Sequence, residues 1–190
     1  NDNPDLLEEL VELPIWPAGG HLHPLSDLYL PGGFEDTLGL AGVIDINELG
    51  GRSEFLRDTL KIKSLDFPTY IRERVPDAFS TENSLSDEAK ANLVDQLAIR
   101  LGEFRSFGDI RYILQNLPLV KCTDGNYYPA QTVYFDTPTN RLLGDKIHIA
   151  SISLKNSLSV SELFEWMGVS KKPREQDILA FIHKVTSEPP

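Results

Sequence analysis

One cysteine, Cys122, is all that the 190 residues contain, so an intramolecular disulfide is excluded. That scarcity fits a reducing compartment. No uncharged apolar run approaches the ~20 residues that a helix needs to cross a bilayer, and no charged-then-apolar leader opens the chain. Basic side chains are also short in number, since 18 Lys and Arg stand against 29 Asp and Glu for a net charge of −11. A phosphate backbone is repelled by that balance unless the cations cluster strongly. These absences predict a soluble, cytoplasmic, unprocessed chain with neither a nucleic-acid nor a membrane partner. No Gly-x-Ser-x-Gly elbow is present to suggest a hydrolase.

What is present is a repeat. Leu13-Pro14-Ile15-Trp16-Pro17-Ala18-Gly19-Gly20-His21-Leu22-His23-Pro24 returns in character as Leu117-Pro118-Leu119-Val120-Lys121-Cys122-Thr123-Asp124-Gly125-Asn126-Tyr127-Tyr128-Pro129. In each copy a helical run ends in Leu-Pro, an apolar pair follows, a Gly-containing turn reverses the chain, and Pro closes the block. Val133-Tyr134-Phe135 answers Leu28-Tyr29-Leu30, and the apolar run from Ile147 to Ile152 answers the strand-like Gly42-Val43-Ile44-Asp45-Ile46. Leu163 to Val169 answers Leu56 to Ile62, and Ile178 to Val185 answers the stretch from Ile71. The offset is 104 residues at the first block and 107 at the last. At 41% hydrophobic content the chain can bury one good core or two small ones.

Local signals place elements around these blocks. Asn3 and Pro4 start a helix with Leu6, Leu7, Leu10 and Val11 as its apolar stripe. The Gly19-Gly20 and Asp124-Gly125-Asn126 turns predict β-hairpins. Ser26 to Leu30 reads as an irregular or single-turn piece. Ser53 opens a short helix that buries Phe55, Leu56 and Leu60, and Asp66 opens one that buries Phe67, Tyr70, Ile71 and Val75. Residues 80–84 are polar and loop-like. Ser86 caps the longest helix, with Leu93, Val94, Leu97, Ile99 and Leu101 inside, and a helix over Phe107 to Asn116 carries Ile110, Ile113, Leu114 and Leu117 on one face. The result is an α+β chain of two related units, each with a hairpin, an added strand and helices: residues 1–79 first, 80–106 as a connecting helix, 107–190 second.

Leu117-Pro118-Leu119, Asp124-Gly125, Pro129 and Trp166-Met167-Gly168-Val169 resemble the region that follows the nucleotide-binding domain in sacsin-like proteins. Leu13-Pro14-Ile15-Trp16-Pro17 and Leu60-Lys61-Ile62 match less closely, with Gly19-Gly20 for Asp-Gly and Lys61 for Gly. Chains of that family begin with a GHKL-type ATPase domain, and sacsin is chaperone-like. The resemblance implies a non-catalytic accessory or regulatory module that contacts a protein partner or other domains of its parent chain. An opening Asn in place of Met and the coreless Ser187-Glu188-Pro189-Pro190 agree with a segment of a longer protein.

Candidate chemistry is sparse. Glu88, Asn92 and Asp95 share one helical face and look like the GHKL triplet in which Glu activates water and Asn binds magnesium. That motif needs a following strand with Asp-x-Gly-x-Gly, and only Asp124-Gly125-Asn126 lies downstream; solvated charges on an amphipathic helix explain the triplet. His21 and His23 alternate on a strand as a pair of metal ligands can, but no third ligand is identifiable. Cys122 has no neighbouring His and reads as a small buried hydrophobe. No cofactor is predicted. Trp16, Tyr127 and Tyr128 gather aromatic area at the hairpins and are the candidate partner surface, although packing of hairpin on helix, or of one repeat on the other, is the favoured role for these aromatics. The alternatives to an accessory module are a degenerate or partial GHKL-type nucleotide-binding domain and a free-standing protein-recognition domain.

Overall fold

A computed structural model describes residues 4–34, 36, 38–80, 85–144, 147–152 and 157–187. The Asn3 cap, the side chains of Leu6 and Val185, and residues 81–84 lie outside the described residues. The chain is α+β and divides into two compact units, Asn1–Ala78 and Phe79–Pro190.

The first unit opens with helix α1 (Pro4–Glu12), which Pro14 stops from continuing. Strands β1 (Trp16–Ala18) and β2 (His21–His23) pair antiparallel about Gly19 and Gly20, both left-handed at φ +57° and +78°. Two left-handed residues in a two-residue loop match the twist of the strands they join, which is why the Gly pair specifies the turn. Pro24 leads a single 3-10 turn (Leu25–Asp27) into β3 (Leu28–Pro31). Ser26 to Leu30 is therefore largely a strand. β3 is central in a parallel order β4-β3-β5, between β4 (Gly42–Val43) and β5 (Ser64–Leu65). Leu28, Tyr29 and Leu30 are all buried, as a strand covered on both faces requires. A π-helical turn (Phe55–Thr59) follows β4, and helix α2 (Phe67–Glu73) follows β5. Asp66 caps α2 by accepting from the Thr69 amide at 2.7 Å.

The core of this unit is Trp16, Leu25, Leu28, Leu30, Ile44, Leu56 and Leu60, with Leu7, Leu10 and Val11 of α1 packed against it. Phe55 instead points outward at 43% exposure, because the wide π turn leaves only Leu56 of the turn facing inward. Phe67, Tyr70, Ile71 and Val75 are buried as their spacing predicts.

The second unit begins with α3 (Asp87–Ile99), α4 (Leu101–Phe104) and α5 (Gly108–Asn116). The helical residues of the expected connector, α3 and α4, are thus part of this unit, since α3 buries Leu93, Val94, Leu97 and Ala98 and packs on α7 (Ser157–Met167). Ile99 falls off that stripe and is 74% exposed. After α5 come β6 (Pro118–Lys121) and β7 (Tyr127–Pro129) as an antiparallel hairpin. Pro129 then leads a 3-10 turn (Ala130–Thr132) into β8 (Val133–Tyr134), which pairs parallel with β9 (His148–Ile149). Between them lies α6 (Pro138–Arg141), and α8 (Glu175–Ser187) is the last helix.

Within each unit the same backbone hydrogen bonds close the same crossings. Ile44 N donates to Tyr29 O and Ala150 N to Tyr134 O, both at 2.9 Å; Asp45 N donates to Pro17 O and Ser151 N to Lys121 O, both at 2.8 Å. Leu30 N to Lys63 O likewise answers Phe135 N to Ser170 O, both at 2.9 Å. These are the anchor points of hairpin, central strand and added strand in each unit.

Candidate functional site

Polar and aromatic side chains meet around the second hairpin. Tyr127 on β7 is half-buried, with the Lys90 ammonium 4.8 Å and the Lys121 ammonium 5.4 Å from its ring centre. Cations over an aromatic face are attracted by its quadrupole. Lys121 Nζ lies 3.0 Å from Asp87 Oδ2, and the Tyr127 hydroxyl donates to the Asp87 carbonyl at 3.3 Å. The bond to Asp87 holds the Lys121 ammonium above its usual pKa, while burial raises that of Tyr127. Hairpin and α3 N-terminus are fastened together by these contacts.

Beside this cluster is a groove of about 250 Å³ lined by Val94, Leu119, Val160 and Phe164 as an apolar floor, with Asp95, Lys121 and Tyr127 among its remaining walls. Asp95 has no hydrogen-bond or ionic partner among the described residues. An apolar floor with a few polar groups at the edge can receive one large apolar side chain and orient the polar atoms beside it.

On the other side of β7, the Tyr128 ring stacks on His148 of β9 with centroids 3.5 Å apart. Its hydroxyl donates to Asp124 Oδ2 at 2.7 Å, and His148 Nδ1 is 3.8 Å from the same oxygen. The bond from Tyr128 lowers the Asp124 carboxyl and raises the tyrosine. Cys122, at the end of β6, is 2% exposed, and burial pushes its thiol up to about 12. A thiol so far from thiolate is a poor nucleophile.

The residues singled out by sequence fare differently. Trp16 is buried at 7% exposure, and its indole N–H donates to the Leu10 carbonyl at 3.1 Å, so it fastens hairpin to α1 instead of presenting a partner surface. Tyr127 and Tyr128 remain partly accessible, though both are already engaged within the unit. His21 is exposed and His23 half-buried, and both line an open cleft of about 670 Å³ with Phe34 and Asp36. Among the described residues no group of three His, Cys, Asp or Glu is placed to hold a metal. Glu88 and Asn92 are exposed on α3 and do not line the groove that Asp95 borders.

Sequence reasoning missed Lys90, Lys121 and Asp87. Lys90 and Asp87 stand on α3 and Lys121 on β6, so their juxtaposition depends on a helix meeting a hairpin about thirty residues away. No family model, curated protein or solved structure matches the chain. Among the described residues no helix is long and apolar enough to cross a membrane.

Proposed function

We propose that this chain is a non-catalytic accessory module of a sacsin-like ATPase, and that it holds a protein client or another domain of its parent chain through the groove beside Tyr127. The observation that carries the reading is the groove itself. Its floor of Val94, Leu119, Val160 and Phe164 is apolar, open at the surface and edged by Asp95, which has no partner among the described residues. Desolvated apolar pockets with a polar edge are where binding energy concentrates in protein recognition. The likeness of Leu117-Pro118-Leu119, Asp124-Gly125 and Trp166-Met167-Gly168-Val169 to sacsin-like chains supplies the context, and the matched hydrogen bonds of the two units favour an origin by duplication. A lone cysteine, Cys122, fits a reducing, cytoplasmic setting.

A photo-crosslinking residue at Ala91, which lines the groove on α3, tests the reading in cells that make the parent chain. Adducts to a defined protein segment that disappear with Asp95→Lys or Tyr127→Ala support it. Adducts no richer than those from exposed Ile99 overturn it. Magnesium-dependent ATP binding by the purified chain, abolished by Asn92→Ala, would replace it with the nucleotide-binding reading.

A further inference from the structure

A second groove lies in the first unit, along α1. Leu7 and Val11 of α1 and Leu60 at the end of the π-helical turn form its apolar lining, and Glu8, Glu12 and Thr59 border it, enclosing about 410 Å³. Leu60 belongs to the core of the unit, so the groove opens directly onto packed apolar surface. Immediately beyond α1, Leu13 and Ile15 are each 48% exposed and extend that apolar surface toward the hairpin.

The edge of the groove is charged in one sense. Glu8 and Glu12 are exposed, stand four residues apart on one side of α1, and have no hydrogen-bond or ionic partner among the described residues. Like charges at that spacing repel one another across a helical turn, so the pair is unfavourable in the free protein. The surroundings do not relieve it, because residues 1–78 carry 15 acidic against 6 basic side chains. The two ridges of α1 are in register: Leu7 and Val11 recur at the same four-residue interval as Glu8 and Glu12. A helix laid alongside with apolar and basic residues at that interval would meet an apolar ridge with its own and an acidic ridge with its cations.

We propose that this groove docks a basic amphipathic helical segment of a partner protein, its apolar residues on Leu7, Val11 and Leu60 and its Lys or Arg side chains on Glu8 and Glu12. The field of the acidic first unit attracts such a segment before contact, and the groove then selects its register. The site is separate from the groove beside Tyr127, and its partner need not be the same.

The test uses the intact chain and a synthetic amphipathic peptide of about 14 Leu and Lys residues, long enough to form a helix when docked. A peptide with Glu in place of every Lys is the control. Binding is followed by fluorescence anisotropy. The Lys peptide binds and the Glu peptide does not. Glu8→Lys with Glu12→Lys weakens binding by about tenfold or more, while Glu48→Lys with Glu54→Lys, the same charge change at exposed positions elsewhere in the unit, alters it by less than about twofold. Glu8→Gln with Glu12→Gln gives an intermediate loss and serves if the Lys variants fail to fold by circular dichroism. Equal losses from both Lys pairs would reduce the effect to net charge and overturn the site. So would binding that ignores Glu8 and Glu12, or that accepts the Glu peptide equally. Asp95→Lys leaves this binding intact, which separates it from any failure at the second-unit groove.

Discussion

Lys61 and Gly168 hold matching places in the two units, each following a helical segment with a positive φ, at +57° and +108°. In the second unit Gly168 ends α7 with the Val169 amide bonded to Phe164 O at 2.9 Å and the Gly168 amide to Glu165 O at 3.1 Å. Those two bonds satisfy carbonyls that the helix end leaves open. In the first unit the Ile62 amide reaches back to Leu56 O at 3.1 Å across the wider π turn. Lys61 is the one non-glycine among the described residues with positive φ.

A left-handed conformation costs a residue with a Cβ roughly 1 kcal/mol that glycine is spared. Lys61→Gly therefore stabilises the first unit by about 0.5 kcal/mol after the added freedom of the unfolded chain is subtracted. Gly168→Ala destabilises the second by about 1 kcal/mol or more, and since a Cβ there meets nothing within 4 Å the penalty is torsional. Urea midpoints of the two variants check both signs.

Tyr29 and Tyr134 are a second matched pair. Tyr29 donates to Glu73 Oε2 at 2.7 Å beneath the Arg74 guanidinium, and Tyr134 donates to Asp177 beneath that of Arg174. Bonds from Lys63 first, then Tyr29, hold the Glu73 carboxyl below its usual range. A depressed carboxyl contributes stability above its unfolded pKa and loses it as pH falls through the folded one. The melting-temperature gap between the protein and its Glu73→Gln variant is thus open near neutrality and closes on acidification below about pH 4. A gap that widens toward acid would contradict the assignment.

The Cys122 thiol, near 12, carries roughly a thousandfold less thiolate at pH 8 than a free cysteine. Iodoacetamide at that pH labels the native protein at least ~100 times more slowly than the protein in guanidinium. Mass spectrometry over a labelling time course reads the ratio directly.

Asn92 is exposed on α3, so Asn92→Ala shifts stability by less than about 0.5 kcal/mol. Thermal melts with and without magnesium-ATP should coincide for both proteins. A nucleotide-dependent rise lost in the variant would favour the GHKL-type reading over the accessory module.

Much of the architecture was legible because short-range chemistry decides it. Gly19-Gly20 and Asp124-Gly125 specify their reversals, and Pro24 and Pro129 introduce 3-10 turns whose flanking dihedrals nearly coincide, with φ −61° at each proline. What escaped depends on distant partners. The Leu28-Tyr29-Leu30 strand has no alternation to announce it, since Leu28 and Leu30 pack into the core with Trp16 and Leu56 while Tyr29 lies against Glu73 and Arg74. Packing is the favoured role of Trp16 from sequence, but its acceptor, the Leu10 carbonyl on α1, shows only in the fold. The 80–106 helix reads as a connector from its position alone, and its packing on α7 depends on residues some seventy positions later. The groove beside Tyr127 has the same origin, because its floor is drawn from α3, β6 and α7.

Through-hydrogen-bond NMR couplings on isotopically labelled protein test most directly whether one arrangement is built twice. Couplings are expected for Ile44 N to Tyr29 C=O and Asp45 N to Pro17 C=O in the first unit, and for Ala150 N to Tyr134 C=O and Ser151 N to Lys121 C=O in the second. Finding one pair while the other unit's amides bond elsewhere would contradict it.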